Sequence, residues 1–486
     1  MNTKITLGVS LAALLFATAC KRNNDVVAPN QDITFANKSV TPVLMKPLTG
    51  VTGVELFSLI GSDDDLPASP GYIFGGSADG LGMLKVNDTT YSIIVNHEDN
   101  FAVNRLMLNK NLTVTSGQYI LNSNGGIWRL CSATLATPAE HGFGPLFLTC
   151  GESGEESRTH AINPLETNFT ASQSKEVPGL GRWNAENALP LHKDAFPGKT
   201  VILIGDDDSG VEGGQVVLYV ADRVGDLQNG KVYVLKRPNN NISERDMVTG
   251  IQYDVEFVEI PNAATLTGRQ IQLASAAANS VRFGRVEDLD YRKGNTAGAK
   301  QEVYFTVTGQ NNTGTNAAYT RTKYGRVYKL NLNSSDVTKG KLEVILDGDD
   351  RSGIARAFQN PDNICVTENY VYVQEDPNGY GDETHDSYIY QYNIATKAMR
   401  PVFELDHRRT ASDAAKYNVG GPSRFGSWEY GAMVDISETI GVPNTFVLCI
   451  QPHTWTGARY RGVDGGTIRP NEQQASQLVI IKGLEK

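Results

Sequence analysis

The chain has 486 residues and a net charge of −10 at pH 7, with a pI near 5.3. No basic stripe is present to neutralise phosphates, which excludes nucleic acid as a partner. Glycine is abundant at 48 residues, and no stretch sustains helical amphipathicity, so the body reads as a large all-β unit rather than a bundle.

From the N-terminus, Lys4 precedes an apolar stretch, Ile5 to Phe16, and then Ala17-Thr-Ala-Cys20. Small residues ahead of a cysteine mark a lipoprotein signal peptide over residues 1–19, with Cys20 as the lipidated first residue of the mature chain. The apolar core is well short of the roughly 20 residues that a spanning helix needs. Residues 20–42 then read as a polar tether, and 43–486 as one domain. Lys21 follows the lipidated cysteine, where an aspartate would argue for inner-membrane retention. The expected location is therefore the cell envelope, at the outer membrane, with the lipid as the membrane contact.

A short β-branched or aromatic run ending on polar residues then returns about six times. It reads Tyr91-Ser-Ile-Ile-Val-Asn-His-Glu98, Pro145-Leu-Phe-Leu-Thr-Cys-Gly-Glu152, Val201-Ile-Leu-Ile-Gly-Asp-Asp-Asp208, Val303-Tyr-Phe-Thr-Val-Thr308, Tyr370-Val-Tyr-Val-Gln-Glu-Asp376 and Thr445-Phe-Val-Leu-Cys-Ile-Gln-Pro-His453. These lengths and compositions are those of strands. Between them Gln215–Val220, Gly230–Leu235, Gly325–Leu330 and Ser387–Tyr392 alternate as half-buried antiparallel strands. Helices are expected only near Gln270–Ser280 and Arg409–Lys416. The spacing of 50 to 100 residues between the recurring runs fits a six-bladed β-propeller with long insertions between blade strands, a decorated sandwich being the rival.

If each recurring run is the innermost strand of one blade, its polar cap faces a common axis. His97, Glu98, Glu152, Asp206 to Asp208, Glu375, Asp376 and His453 would share a pocket, and carboxylates crowded that way repel unless cations sit between them. His97 reads more readily as a hydrogen-bonded structural residue than as a ligand. Asp206-Asp-Asp208 can also be a solvated turn. After Cys20 only Cys131, Cys150, Cys365 and Cys449 remain; they can form two disulfides, but the last three stand in or beside apolar runs, where cysteine is usually a small buried hydrophobe. No Gly-x-Ser-x-Gly elbow, His-Glu-x-x-His helix or P-loop is present.

An ordered set of short motifs then carries a resemblance. Asn96-His97-Glu98, the Cys131 to Gly151-Glu152 segment, Gly181-Arg-Trp-Asn-Ala-Glu186, Gly205-Asp-Asp207, Arg285-Val-Glu287, Pro361-Asp-Asn363 with Gln374-Glu-Asp376, and Glu429 before Gly431 occur in that order. The chain resembles the PhoX-type alkaline phosphatases, secreted six-bladed propellers whose axial pocket holds calcium ions and an oxo-bridged pair of ferric ions. The resemblance implies that Cys131 ligates iron and that Glu152 and Glu186 serve the iron and calcium cluster. It implies that Arg285 grips phosphate with Glu287 as a calcium ligand, and that Asn96, Glu98, Asp207 and Asp376 contribute to the calcium (Ca2+) shell around the ferric (Fe3+) pair. Thiolate with carboxylates suits a ferric ion, oxygen-only sets suit calcium, and a guanidinium fork matches phosphate.

Departures from the family pattern are concentrated after Cys131. The Gly-Gly and Trp-containing stretch is replaced by Ser132-Ala-Thr-Leu-Ala-Thr-Pro-Ala-Glu-His-Gly-Phe-Gly144, and Gly151 stands for one glutamate of the closing Cys-Glu-Glu. Two functions are therefore expected to compete. One is a lipid-tethered, metal-dependent phosphatase acting on small phosphorylated substrates. The other is a non-catalytic calcium-binding propeller used for binding or adhesion.

Overall fold

The computed structural model describes Met1, residues 33–421 and residues 423–486. The expected cleavage region and Cys20 lie outside the described residues. Among those described, no helix is long and apolar enough to cross a membrane. The fold is all-β and propeller-like.

All six recurring runs are strands: Thr90–His97, Leu146–Gly151, Thr200–Asp206, Glu302–Val307, Tyr370–Glu375 and Thr445–Gln451. None of them is innermost, which corrects the expectation from sequence. Each pairs with the strand before it: β1 (Ala78–Asn87), β2 (Leu130–Ala136), β3 (Ala185–Pro190), β4 (Val286–Tyr291), β5 (Pro361–Val366) and β6 (Glu429–Asp435). These six touch one another in a closed cycle from β1 round to β6 and back to β1, so they ring one axis. The reason for the misreading is burial. A second strand is covered on both faces and is written as an unbroken apolar run, whereas an inner strand must also present polar groups to the axis.

Three sheets carry β1, β2 and β6, and a fourth, five-stranded one carries β5. β3 and β4 form the two edges of one nine-stranded sheet, and those edges return into contact. The N-terminal part of the chain closes the ring. Glu55–Gly61 pairs with the last strand, Gln477–Lys482, and Met45–Pro47 pairs with Met399–Leu405. Residues 33–42, expected as the end of a tether, belong to this body: Ile33 is buried beside Leu66 and Leu112, and Gln477 Nε2 donates to the Pro42 carbonyl at 2.7 Å.

The four alternating strands are found at Val216–Ala221, Lys231–Lys236, Arg326–Asn333 and Tyr388–Asn393. One helix, Gly268–Ala277, matches expectation and starts in a capping box between Thr267 and Gln270. Near Arg409–Lys416 only the single turn Ala414–Tyr417 forms. Cys131, Cys150, Cys365 and Cys449 are all buried and free.

Every inner strand carries the same irregularity. Register shifts between Ala78 and Leu81, Leu130 and Ala133, Ala185 and Ala188, Val286 and Leu289, Pro361 and Ile364, and Tyr430 and Met433. In each case three steps on the inner strand oppose two on its partner, which is a β-bulge. In five of the six inner strands the bulge turns an extra side chain toward the axis; in β6 the bulge residue is Gly431.

Candidate metal centre

The bulges decide what faces the axis. Their first residues are Asp79, Cys131, Glu186, Glu287, Asp362 and Gly431, equivalent by register in the six strands. One residue beyond the partner of the residue that precedes each bulge stand Glu98, Glu152, Asp207, Thr308, Asp376 and Gln451, a second equivalent set. Two residues before each bulge residue stand Ser77, Arg129, Asn184, Arg285, Asn360 and Glu429.

From these stations the chain builds a cavity of about 280 Å³. It is lined by nine carboxylates (Asp79, Glu98, Asp99, Glu152, Glu186, Glu287, Asp362, Asp376, Glu429), Cys131, Arg129, Arg285, Gln451 and His453. Their donor atoms form four overlapping triads, each within 4.8 Å: Asp79–Cys131–Glu186, Glu98–Cys131–Glu152, Glu186–Glu287–Asp362 and Asp362–Asp376–Glu429. Because Cys131, Glu186 and Asp362 are shared, the triads make one continuous set of donors with room for several ions.

Electrostatics favour cations here. Burial first, then mutual repulsion, holds Asp79, Glu152, Glu186, Glu287, Asp362 and Glu429 well above the ordinary carboxylate range. Burial, Glu152 and Glu186 likewise push the Cys131 thiol well up, and its Sγ–H donates to Glu152 Oε2 at 2.9 Å. Asp79 Oδ1 is buried without a hydrogen-bond partner. An orphaned carboxylate oxygen facing a thiol and other carboxylates is what a multivalent cation would satisfy, so the residues present fit a metal cluster.

Arg285 is fixed at the rim. Its backbone lies in the left-handed region at φ 73°, a strain that persists only where surroundings over-determine it. Nε pairs with Asp207 Oδ1 at 2.7 Å and Nη2 with Glu287 Oε1 at 3.3 Å, while Nη1 donates to Asn378 Oδ1 at 2.7 Å. Burial works against the charge, but Asp207 and Glu287 outweigh it and keep the guanidinium protonated.

Of the residues singled out in sequence, Cys131, Glu152, Glu186, Glu98, Glu287, Asp376 and Arg285 line one cavity, with Asp207 against Arg285. Asn96 does not line it: its amide donates to the Cys131 carbonyl and to Thr149 Oγ1, so it fixes the strand behind the thiol. His97, Asp206 and Glu375 alternate to the other face of their strands. His97 is held by Gly76 and Asn104 and lowered by burial to about 4. Asp206 accepts from the Asn184 N–H, and Glu375 anchors Gln359, Tyr388 and His385. His453 does reach the rim, with Nε2 3.3 Å from Glu429 Oε1.

Sequence reasoning passed over Asp79, Asp99, Arg129 and Asp362 as individual site residues. Asp79 stands before Gly80 and Gly82, among glycines where the sequence announces no strand. Only the bulge register reveals it, although Pro361-Asp-Asn363 and Glu429 had entered the motif set. Of the altered stretch after Cys131, Ser132 still touches the site, its N–H donating to Glu186 Oε1 at 3.2 Å, but the loop beyond it lies elsewhere. Thr137, Glu140 and His141 line a separate cavity of about 410 Å³ at the opposite end of the axis, where Glu140 pairs with Lys293 at 3.2 Å. At Gly151 a side chain would meet the Arg158 carbonyl and Trp128 at 2.9 Å, so no second glutamate fits there.

No family model and no curated protein matches the chain. Among solved structures it is similar to Pseudomonas fluorescens PhoX in complex with vanadate, a transition state analogue. The two share 12% identity over 92% of this chain and 98% of that one, with a TM-score of 0.63. An α-L-arabinofuranosidase from Fusarium graminearum aligns at 11% identity over 84% and 96% of the chains, with a TM-score of 0.40. The first likeness is one of fold.

Proposed function

We propose that the chain is a metal-dependent phosphatase on a six-bladed propeller, one blade built outward from each inner strand, hydrolysing small phosphomonoesters at alkaline pH. The observation that carries this reading is the continuous thiol-and-carboxylate donor set, with a guanidinium held in place at its rim, on a fold shared with a structure that binds vanadate. The triads containing Cys131 suit ferric ions and the oxygen-only triads suit calcium. When bound, such ions neutralise phosphoryl charge and provide an oxygen nucleophile.

The chain's own residues do the rest. Asp79, Cys131, Glu98, Glu152 and Glu186 would hold the softer end of the cluster; Glu287, Asp362, Asp376 and Glu429 the harder end. The Cys131 proton points at Glu152 Oε2, and ligation requires that this proton leave. Asp207 and Asn378 hold the Arg285 fork in one orientation, so that it meets phosphoryl oxygens without reorganising. Placement in the envelope through a lipid on Cys20 is part of the same proposal.

Elemental analysis of the purified protein, paired with phosphomonoester turnover, tests it. Calcium and iron should both be present, and Arg285→Ala and Glu186→Ala should each lower kcat/KM by about 100-fold or more with the fold intact by circular dichroism. Calcium without iron, and no turnover, would instead support the binding propeller. Full activity in both variants would refute the site assignment.

A further inference from the structure

We propose that Arg129 is a second guanidinium for the substrate's phosphoryl group, two inner strands round the ring from Arg285. This rests on the phosphatase reading and adds a substrate-binding residue to it. The register assigns Arg129 its place. It stands two residues before the bulge residue Cys131, as Arg285 stands two before Glu287, so the two residues hold equivalent register positions on β2 and β4, although of the two only Arg285 has a left-handed backbone. At the other four stations stand Ser77, Asn184, Asn360 and Glu429, none of them cationic. Arg129 and Arg285 are also the two guanidiniums that line the carboxylate-walled cavity.

The backbone of Arg129 is pinned, and its head, though paired, keeps unused donors for a ligand. Its N–H donates to Ser153 Oγ at 2.7 Å, and its carbonyl accepts from the Glu152 N–H at 2.8 Å. The guanidinium spans two different acids, Nη1 to Glu98 Oε1 and Nη2 to Asp99 Oδ1, both at 3.0 Å, and the side chain stays 43% exposed. A guanidinium has five donors in a planar fork, so these two contacts orient it without exhausting it. Asp99 is itself braced by Gln474 Nε2 at 2.6 Å and, through its carbonyl, by Arg469 Nε at 2.7 Å. The competing role is plain charge neutralisation of Glu98 and Asp99. A lysine would serve that role equally well, whereas bidentate recognition of phosphate requires the fork.

Orthophosphate binding to the metal-loaded protein, measured by titration calorimetry beside metal content and 4-nitrophenyl phosphate kinetics, separates the two. Arg129→Lys should weaken orthophosphate binding and raise KM about tenfold, with metal content unchanged and kcat less affected; Arg129→Ala should weaken binding further. Wild-type phosphate affinity in Arg129→Lys, whether or not Arg129→Ala loses metal, would overturn the inference and leave Arg129 a neutraliser. A wild-type protein that neither binds orthophosphate nor turns over the ester would overturn the phosphatase reading, and this inference with it.

Discussion

At the scale of single residues, burial sets protonation far from the pocket as well as in it. His160 is wholly buried on the short strand His160–Ile162, its Nδ1 accepting from the Lys175 N–H at 3.3 Å. Burial, only partly offset by Glu176 and the Gly126 carbonyl, lowers it to about 4. Its folded pKa is below the unfolded value near 6.5, so its stabilisation is complete above about pH 6.5 and lost as pH falls toward 4. By pH 5.5 the loss is about 1.4 kcal/mol. The stability difference between wild type and His160→Gln, from urea unfolding, should shrink by that amount between pH 8 and pH 5.5. A difference independent of pH would show that the ring is not held neutral. Residues of the site were legible in proportion to their surroundings. Cys131, Glu152 and Glu186 stand in recognisable strings, whereas Asp79 is a lone acid among glycines and carries no local signal.

Elements were legible where burial is two-sided. The six apolar runs were read as strands, and their polar caps were expected to converge; Glu98, Glu152 and Asp376 do. The inner strands were not read, because a bulge breaks the period-two pattern on which strand recognition rests. In β1 the pattern Ala-Asp-Gly-Leu-Gly looks like a turn, yet the glycines are there because β1 and β2 pack backbone to backbone: a Cβ on Gly80 would meet Ala133 N at 2.5 Å. β6 shows the same constraint from the other side. Its bulge residue is Gly431, where a Cβ would lie 2.7 Å from Asp79 Cα and 2.8 Å from the Ala78 carbonyl. Those are backbone atoms that cannot rotate away. Gly431→Ala should therefore cost about 1–3 kcal/mol and displace Asp79, lowering metal content together with the melting temperature. Unchanged metal content in a destabilised variant would mean that Asp79 is not a ligand.

For the whole molecule, the ring and the cluster depend on each other. Six strands from distant parts of the chain converge on one axis, and closure comes from pairing Glu55–Gly61 with the C-terminal strand. The carboxylates they bring together work against that convergence when ionised. Their folded pKa values lie above the unfolded ones, Asp79, Glu186, Glu287 and Asp362 among them. The metal-free fold thus binds more protons than the unfolded chain, and its stability falls as pH rises through the carboxylate range toward the raised values. Bound cations remove that penalty and add the mass-action term, about 2.7 kcal/mol for free metal at 100 times its Kd. The melting temperature of chelator-treated protein should therefore drop from pH 5 to pH 8, while metal-loaded protein holds, so the gap between them widens with pH. The two opposing trends of the buried histidines and the axial acids are separated by taking this gap, because His160 contributes equally to both samples. A gap that stays constant from pH 5 to pH 8 would mean that the acids are paired within the protein and need no cation. In that event the donor set would be a salt-bridge network around Arg129 and Arg285, and the ring would close on its own hydrogen bonds.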